Sequence, residues 1–183
     1  SAGIPALIEG DLVISRYEAT LHDDGTFQET YIYEVKSGGE YRMLYRYWED
    51  PLSEAPLQSP FIEFVAMESP PGTVGYMKDS SGAVTLQKGS SPAYLEFIRN
   101  MAERNEVGIY NPEYFPAGTY TVTYTYVLHP PVEYDNTDAH LNIRLVDLHV
   151  PYRDIEIVLP ERYARVVFPH PPSLTVTREN GGV

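Results

Sequence analysis

Cysteine is absent from the 183 residues. Its absence excludes disulfides, thiolate metal sites, thiol nucleophiles and iron–sulfur clusters. It permits an oxidising, extracytoplasmic setting without demonstrating one. Lysine is scarce: Lys36, Lys78 and Lys88 stand against 26 acidic residues, and the formal net charge is −13. Such a surface repels phosphate backbones and anionic lipid headgroups, so no nucleic-acid partner is expected. No run of 18 apolar residues occurs, so this chain is not expected to span a membrane. Chemical motifs are missing as well. There is no Gly-x-Ser-x-Gly, no His-x-His, no His-Glu-x-x-His, no phosphate loop and no dinucleotide fingerprint.

Tyrosine and turn formers are abundant. There are 16 Tyr, 13 Gly and 16 Pro, the Gly and Pro falling mainly between apolar runs. Tyr suits half-buried sheet positions because it pairs an apolar body with a polar tip. In 12–21, Val13, Tyr17, Ala19 and Leu21 share one parity. In 26–36, Phe27, Tyr31, Tyr33 and Val35 alternate with polar residues. Two such runs across His22-Asp23-Asp24-Gly25 predict a hairpin, with Gly25 supplying the positive φ. Further strands are predicted at 40–48, 61–67, 74–78, 83–87, 120–128, around 141–145 and 155–159, and at 164–168 and 174–177. The prolines at 51, 56 and 60 make 49–60 a loop. One helix is predicted at 92–104, with Ser91 as its cap, Pro92 at its first position, and Tyr94, Leu95, Ile98 and Met101 as its apolar stripe.

About ten strands without a βαβ rhythm predict an all-β fold: a two-sheet antiparallel β-sandwich, immunoglobulin-like in architecture, with one inserted helix. The expected layout is an N-terminal extension at 1–11, one sandwich domain at 12–178 with a helical insertion at about 89–112, and a tail at 179–183. Ser1-Ala2-Gly3 reads as a trimmed or engineered start.

The order of these elements carries a resemblance. The Tyr17-to-Tyr33 hairpin with its Asp-Gly turn, the Tyr-x-Val-x-Tyr-x-Tyr strand at 120–126, and Leu141-Asn142-Ile143 followed by the 154–160 run Asp-Ile-Glu-Ile-Val-Leu-Pro come in a familiar sequence. The chain resembles the N-terminal ectodomain of predicted prokaryotic membrane proteins known as domain-of-unknown-function family 2207. The resemblance implies an exported domain at the cell surface, tethered by transmembrane helices beyond its C-terminus. No activity, and therefore no functional residue, transfers with it.

Candidate sites are few. The Asp135-Asn136-Thr137-Asp138 cluster offers oxygen ligands for Ca²⁺ through Asp135, Asn136 and Asp138, although Asp and Asn are also ordinary turn formers. The five histidines are widely spread and read as loop or surface residues. The aromatic run Tyr41, Tyr45, Tyr47 and Trp48, interleaved with Arg42 and Arg46, has the composition of an interface. Tyr45, Arg46, Tyr47 and Trp48 are the expected partner or ligand surface, with Trp48 the residue most expected to be exposed. No catalytic residue and no cofactor are expected. The leading expectation is a non-enzymatic domain of a membrane-anchored protein, facing an unknown protein or cell-envelope partner. A carbohydrate-binding module using the aromatics, with Ca²⁺ in support, comes second, and a hydrolase third.

Overall fold

Period-two alternation is realised in the opening hairpin. β1 (Leu12–Leu21) and β2 (Thr26–Val35) pair antiparallel across the His22–Gly25 turn. Gly25 has φ of 89°, and Asp24 accepts the Thr26 N–H at 2.9 Å. The Asp-Gly pair thus closes the turn for the reason its chemistry predicts. One detail escapes strict alternation. The register shifts between Ile14 and Arg16, so Ser15 forms a bulge. The extra residue reverses parity upstream, and Ile14 rather than Val13 joins Tyr17 in the main core cluster.

These strands come from a computed structural model that describes residues 10–58, 60–129, 132–134, 139–141, 149–161 and 174–179. The remaining strands are β3 (Met43–Tyr47), β4 (Leu52–Ser53), β5 (Phe61–Glu68), β6 (Val74–Lys78), β7 (Val84–Leu86), β8 (Glu106–Tyr110), β9 (Gly118–His129), β10 (Val132–Tyr134), β11 (Ala139–Leu141), β12 (Ile155–Pro160) and β13 (Leu174–Glu179). The seven-stranded main sheet runs β13-β12-β1-β2-β9-β5-β4, and a four-stranded sheet runs β3-β8-β6-β7. β10 and β11 pair with each other. The core joins Tyr31, Tyr124 and Ile155 of the main sheet to Leu44, Met77, Val107 and Ile109 of the small one. The fold is the expected all-β sandwich. Its main sheet is mixed rather than wholly antiparallel: β12 lies parallel to β1 and to β13, and β4 parallel to β5.

The segment expected as an insertion contributes to the sandwich itself. Within 89–112, β8 pairs with both β3 and β6 and is interior to the small sheet. The helical part is also shorter than its pattern suggests. A 3-10 turn (Pro92–Tyr94), capped by Ser91, leads into α1 (Leu95–Met101). Extended backbone at Ala102 ends it, and the Lys78 ammonium donates to the carbonyls of Arg99 and Ala102 at 2.8 Å. A cation there suits the negative end of the helix dipole. Met101, expected on the buried stripe, is exposed, and Ala102 is buried in its place.

The helical segment covers part of the small sheet's outer face, where Tyr94, Phe97 and Ile98 pack with Val74, Tyr76 and Tyr110. Gly108 is required on that face. A Cβ there would stand 2.7 Å from the Leu44 carbonyl and 2.5 Å from the Tyr76 hydroxyl. The Tyr76 side chain therefore lies over bare backbone, a packing that only glycine permits. The predicted strands at 143–145 and 164–168 lie outside the described residues, as do Asp135, Asn136 and Asp138.

Candidate functional site

β3 divides the predicted partner surface in two, because its side chains alternate. Leu44, Arg46 and Trp48 point between the sheets and are buried, while Met43, Tyr45 and Tyr47 point outward and are half-buried. Two expectations are corrected here. Trp48 is 3% exposed, packed edge-on against Phe27 and Tyr126. Arg46 is fully buried. Both share the inward parity of Leu44, and the main sheet offers each a matching partner.

That partner for Arg46 is Glu29, also fully buried. Arg46 Nε lies 2.8 Å from Glu29 Oε1, and Nη2 donates to Oε2 at 2.9 Å. The Tyr17 and Tyr126 hydroxyls donate to the same carboxylate at 2.6 and 2.9 Å. Arg46 also donates to the Tyr31 hydroxyl and to the Tyr47 carbonyl, and its guanidinium sits 3.7 Å from the centre of the Trp48 ring. Burial raises the Glu29 pKa, while Arg46, Tyr17 and Tyr126 pull it back down. Burial disfavours the Arg46 charge, yet Glu29 and the tyrosines around it hold its pKa well above the ordinary value. This network ties β1, β2 and β9 of one sheet to β3 of the other. It is an internal clamp, closed to solvent.

The outward half of β3 is different. The Tyr45 ring stacks on the His149 imidazole at 4.7 Å and 6°, and Tyr47 tilts against both at 5.1 and 5.8 Å. His149 itself is exposed. Beneath this ledge, nearly buried Glu106 accepts the Tyr76 hydroxyl at 2.5 Å and the Glu103 N–H at 3.1 Å. Burial raises the Glu106 pKa, opposed by those two donors and by His149. Burial also raises the Tyr47 pKa, with the Tyr45 hydroxyl and Glu106 adding to the shift. Next to the ledge opens a cleft of about 350 Å³, walled by Asp11, Tyr33, Tyr41, Tyr45, His149 and Pro151.

His149 is the member that sequence reading missed. Nothing in its local pattern marks it. Its place follows from the hydrogen bonds between Ile14 and Pro151 and between Arg153 and Ile14, which lay 149–153 alongside β1. Among the described residues, no group of three or more His, Asp or Glu could hold a metal ion. Asp24 spends a carboxylate oxygen on its own turn. No helix among the described residues is long and apolar enough to cross a membrane.

A family model described as the N-terminal domain of predicted membrane proteins (DUF2207) matches residues 13–183. The chain belongs to that family. The match spans the hairpin, the β8 segment and the ledge alike. No curated protein matches the sequence. Among solved structures, a two-domain M1 zinc metallopeptidase variant bound to L-tryptophan is 11% identical, with a TM-score of 0.37, covering 73% of this chain and 24% of that one. An M1 zinc metallopeptidase variant from Deinococcus radiodurans is 9% identical, with a TM-score of 0.36, covering 72% and 24%. The chain thus spans about a quarter of those proteins' length. A likeness that distant brings neither their zinc nor their chemistry to this domain.

Proposed function

We propose that this is a non-enzymatic, extracytoplasmic recognition domain of a membrane-anchored prokaryotic protein, and that it meets a protein or envelope partner through the outward side of β3. The observation that carries the reading is the Tyr45–Tyr47–His149 ledge beside the cleft. Three aromatic rings converge at the surface there, from two separate segments of the chain. Tyr is enriched at interfaces because it contributes large contact area with few rotatable bonds. Membership of a family of predicted membrane proteins supports the anchored setting.

Two features weigh against the carbohydrate-binding reading. The indole best suited to stack on a sugar, that of Trp48, is inside the core. Tyr45 has one ring face covered by His149. The hydrolase reading gains little from the buried carboxylates, since Glu29 is held by Arg46 and two tyrosines, and Glu106 by Tyr76 and the Glu103 amide.

Orientation is testable because these 183 residues contain no cysteine, so a thiol introduced here adds to whatever labelling the unsubstituted parent shows. Val65 sits at a bulge in β5 and is 52% exposed. In cells making the full-length parent of this domain, Val65→Cys is expected to react with a membrane-impermeant maleimide before lysis, above the labelling of the unsubstituted parent. Labelling only after lysis would place the domain on the cytoplasmic side and sink the extracytoplasmic reading.

A further inference from the structure

We propose that the cleft beside β3 receives an organic cation, specifically the ammonium or guanidinium head of a basic side chain on the partner. The inference rests on the recognition reading above and names the chemistry the partner must bring. Four observations converge on it. Three tyrosines, Tyr33, Tyr41 and Tyr45, line the cleft. Ring faces attract cations, and a desolvated site strengthens that attraction. Asp11 stands in the same wall. Its Oδ1 accepts the Ser37 N–H at 2.7 Å and also the Ser37 hydroxyl, whereas its enclosed Oδ2 has no hydrogen-bond partner among the described residues. The negative charge of Asp11 is therefore left partly uncompensated in the cleft wall.

The third observation is local potential. Burial raises the Tyr41 pKa, and the charges of Glu40 and Asp11 add to the rise. The fourth is that the described residues lining the cleft include no Lys or Arg, on a chain of net charge −13. A volume of about 350 Å³ has room for a side-chain head group with its first methylenes. An anionic ligand would meet Asp11. A neutral one would gain the ring contacts without the charge term.

The test is a titration of the isolated domain, followed through the ring signals of Tyr41 and Tyr45 by NMR at constant ionic strength. The probes are choline, L-arginine amide, and 3,3-dimethylbutanol as the neutral isostere of choline. Both cations are expected to shift the two rings saturably in the millimolar range, with the isostere about fivefold weaker, the ratio a cation–π contact of about 1 kcal/mol supplies. Asp11→Asn keeps the Ser37 contacts through its side-chain oxygen. It is expected to retain the wild-type thermal transition and to weaken both cations by a similar factor. Equal shifts with choline and its isostere, or none in these rings, would overturn the proposal. Failure of the wider reading is separable. If Tyr47 makes no partner contact in cells while the titration succeeds, the recognition surface is wrong and the cation site stands. If Tyr47 contacts a partner and the titration fails, only the cation chemistry is wrong.

Discussion

Arg46→Met is expected to destabilise the domain by about 3–5 kcal/mol, because it strands the Glu29 carboxylate in a site sealed from water. For a chain of this size that corresponds to a fall in Tm of order 10 °C. The loss does not measure the strength of an ion pair. Bringing two charges out of water costs several kcal/mol each, and a well-packed apolar pair can serve nearly as well. The double variant Glu29→Leu with Arg46→Met is therefore expected to recover much of the loss. Recovery stays incomplete, since the Tyr17 and Tyr126 hydroxyls lose their acceptor, at about 1–3 kcal/mol for each buried unsatisfied group. Equilibrium unfolding in guanidinium chloride measures all three proteins. If Arg46→Met unfolds within about 1 kcal/mol of the parent, the ordinary effect of a surface change, Arg46 does not hold the sheets together.

Trp48→Ala is expected to cost about 3–5 kcal/mol, the range for deleting a large aromatic from a packed core. The indole fills the space between Phe27 and Tyr126 and shields one face of the Arg46 guanidinium. Its removal opens a cavity and lets water reach the clamp. Because it is the only tryptophan, its own emission reports the same fact: a blue-shifted spectrum, resistant to quenching by iodide. A change below about 1 kcal/mol, or emission typical of a solvated indole, would return Trp48 to the surface.

Much of this architecture is legible in the amino-acid sequence. The hairpin, the Asp-Gly turn and the strand at 120–128 follow from period-two alternation and from the backbone freedom of one glycine at 25. Alternation held in the hairpin, and it held in 120–128 although the partners β2 and β5 lie far upstream. It failed where a backbone irregularity or the surrounding tertiary structure decides the outcome. A bulge at Ser15 reversed parity within a single strand. The helix stops at Met101, short of the predicted 104, where Ala102 turns extended and Lys78 meets the carbonyls of Arg99 and Ala102. β8 looked like part of an insertion because its pairing partners lie 28 to 67 residues upstream, from Lys78↔Glu106 to Met43↔Tyr110.

The candidate site divides along the same line. Tyr45 and Tyr47 could be named from composition, and strand parity already set them opposite Arg46 and Trp48. Glu29 shares the parity of Phe27 and Tyr31, so a charge inside the core was readable there. An unpaired buried carboxylate demands a buried cation, and Arg46 has the matching inward parity on β3. What no local pattern could announce is His149, which reaches the ledge only through the pairing of 149–153 with β1.

The central claim is that the outward side of β3 is where this domain meets its partner. Site-specific photo-crosslinking in cells making the full-length parent tests it most directly, with benzoylphenylalanine placed at Tyr47 and, as a control, at Val65 on the other sheet. The account predicts a discrete covalent adduct from position 47 and none from position 65. No adduct from position 47, or the same adducts from both positions, would contradict it.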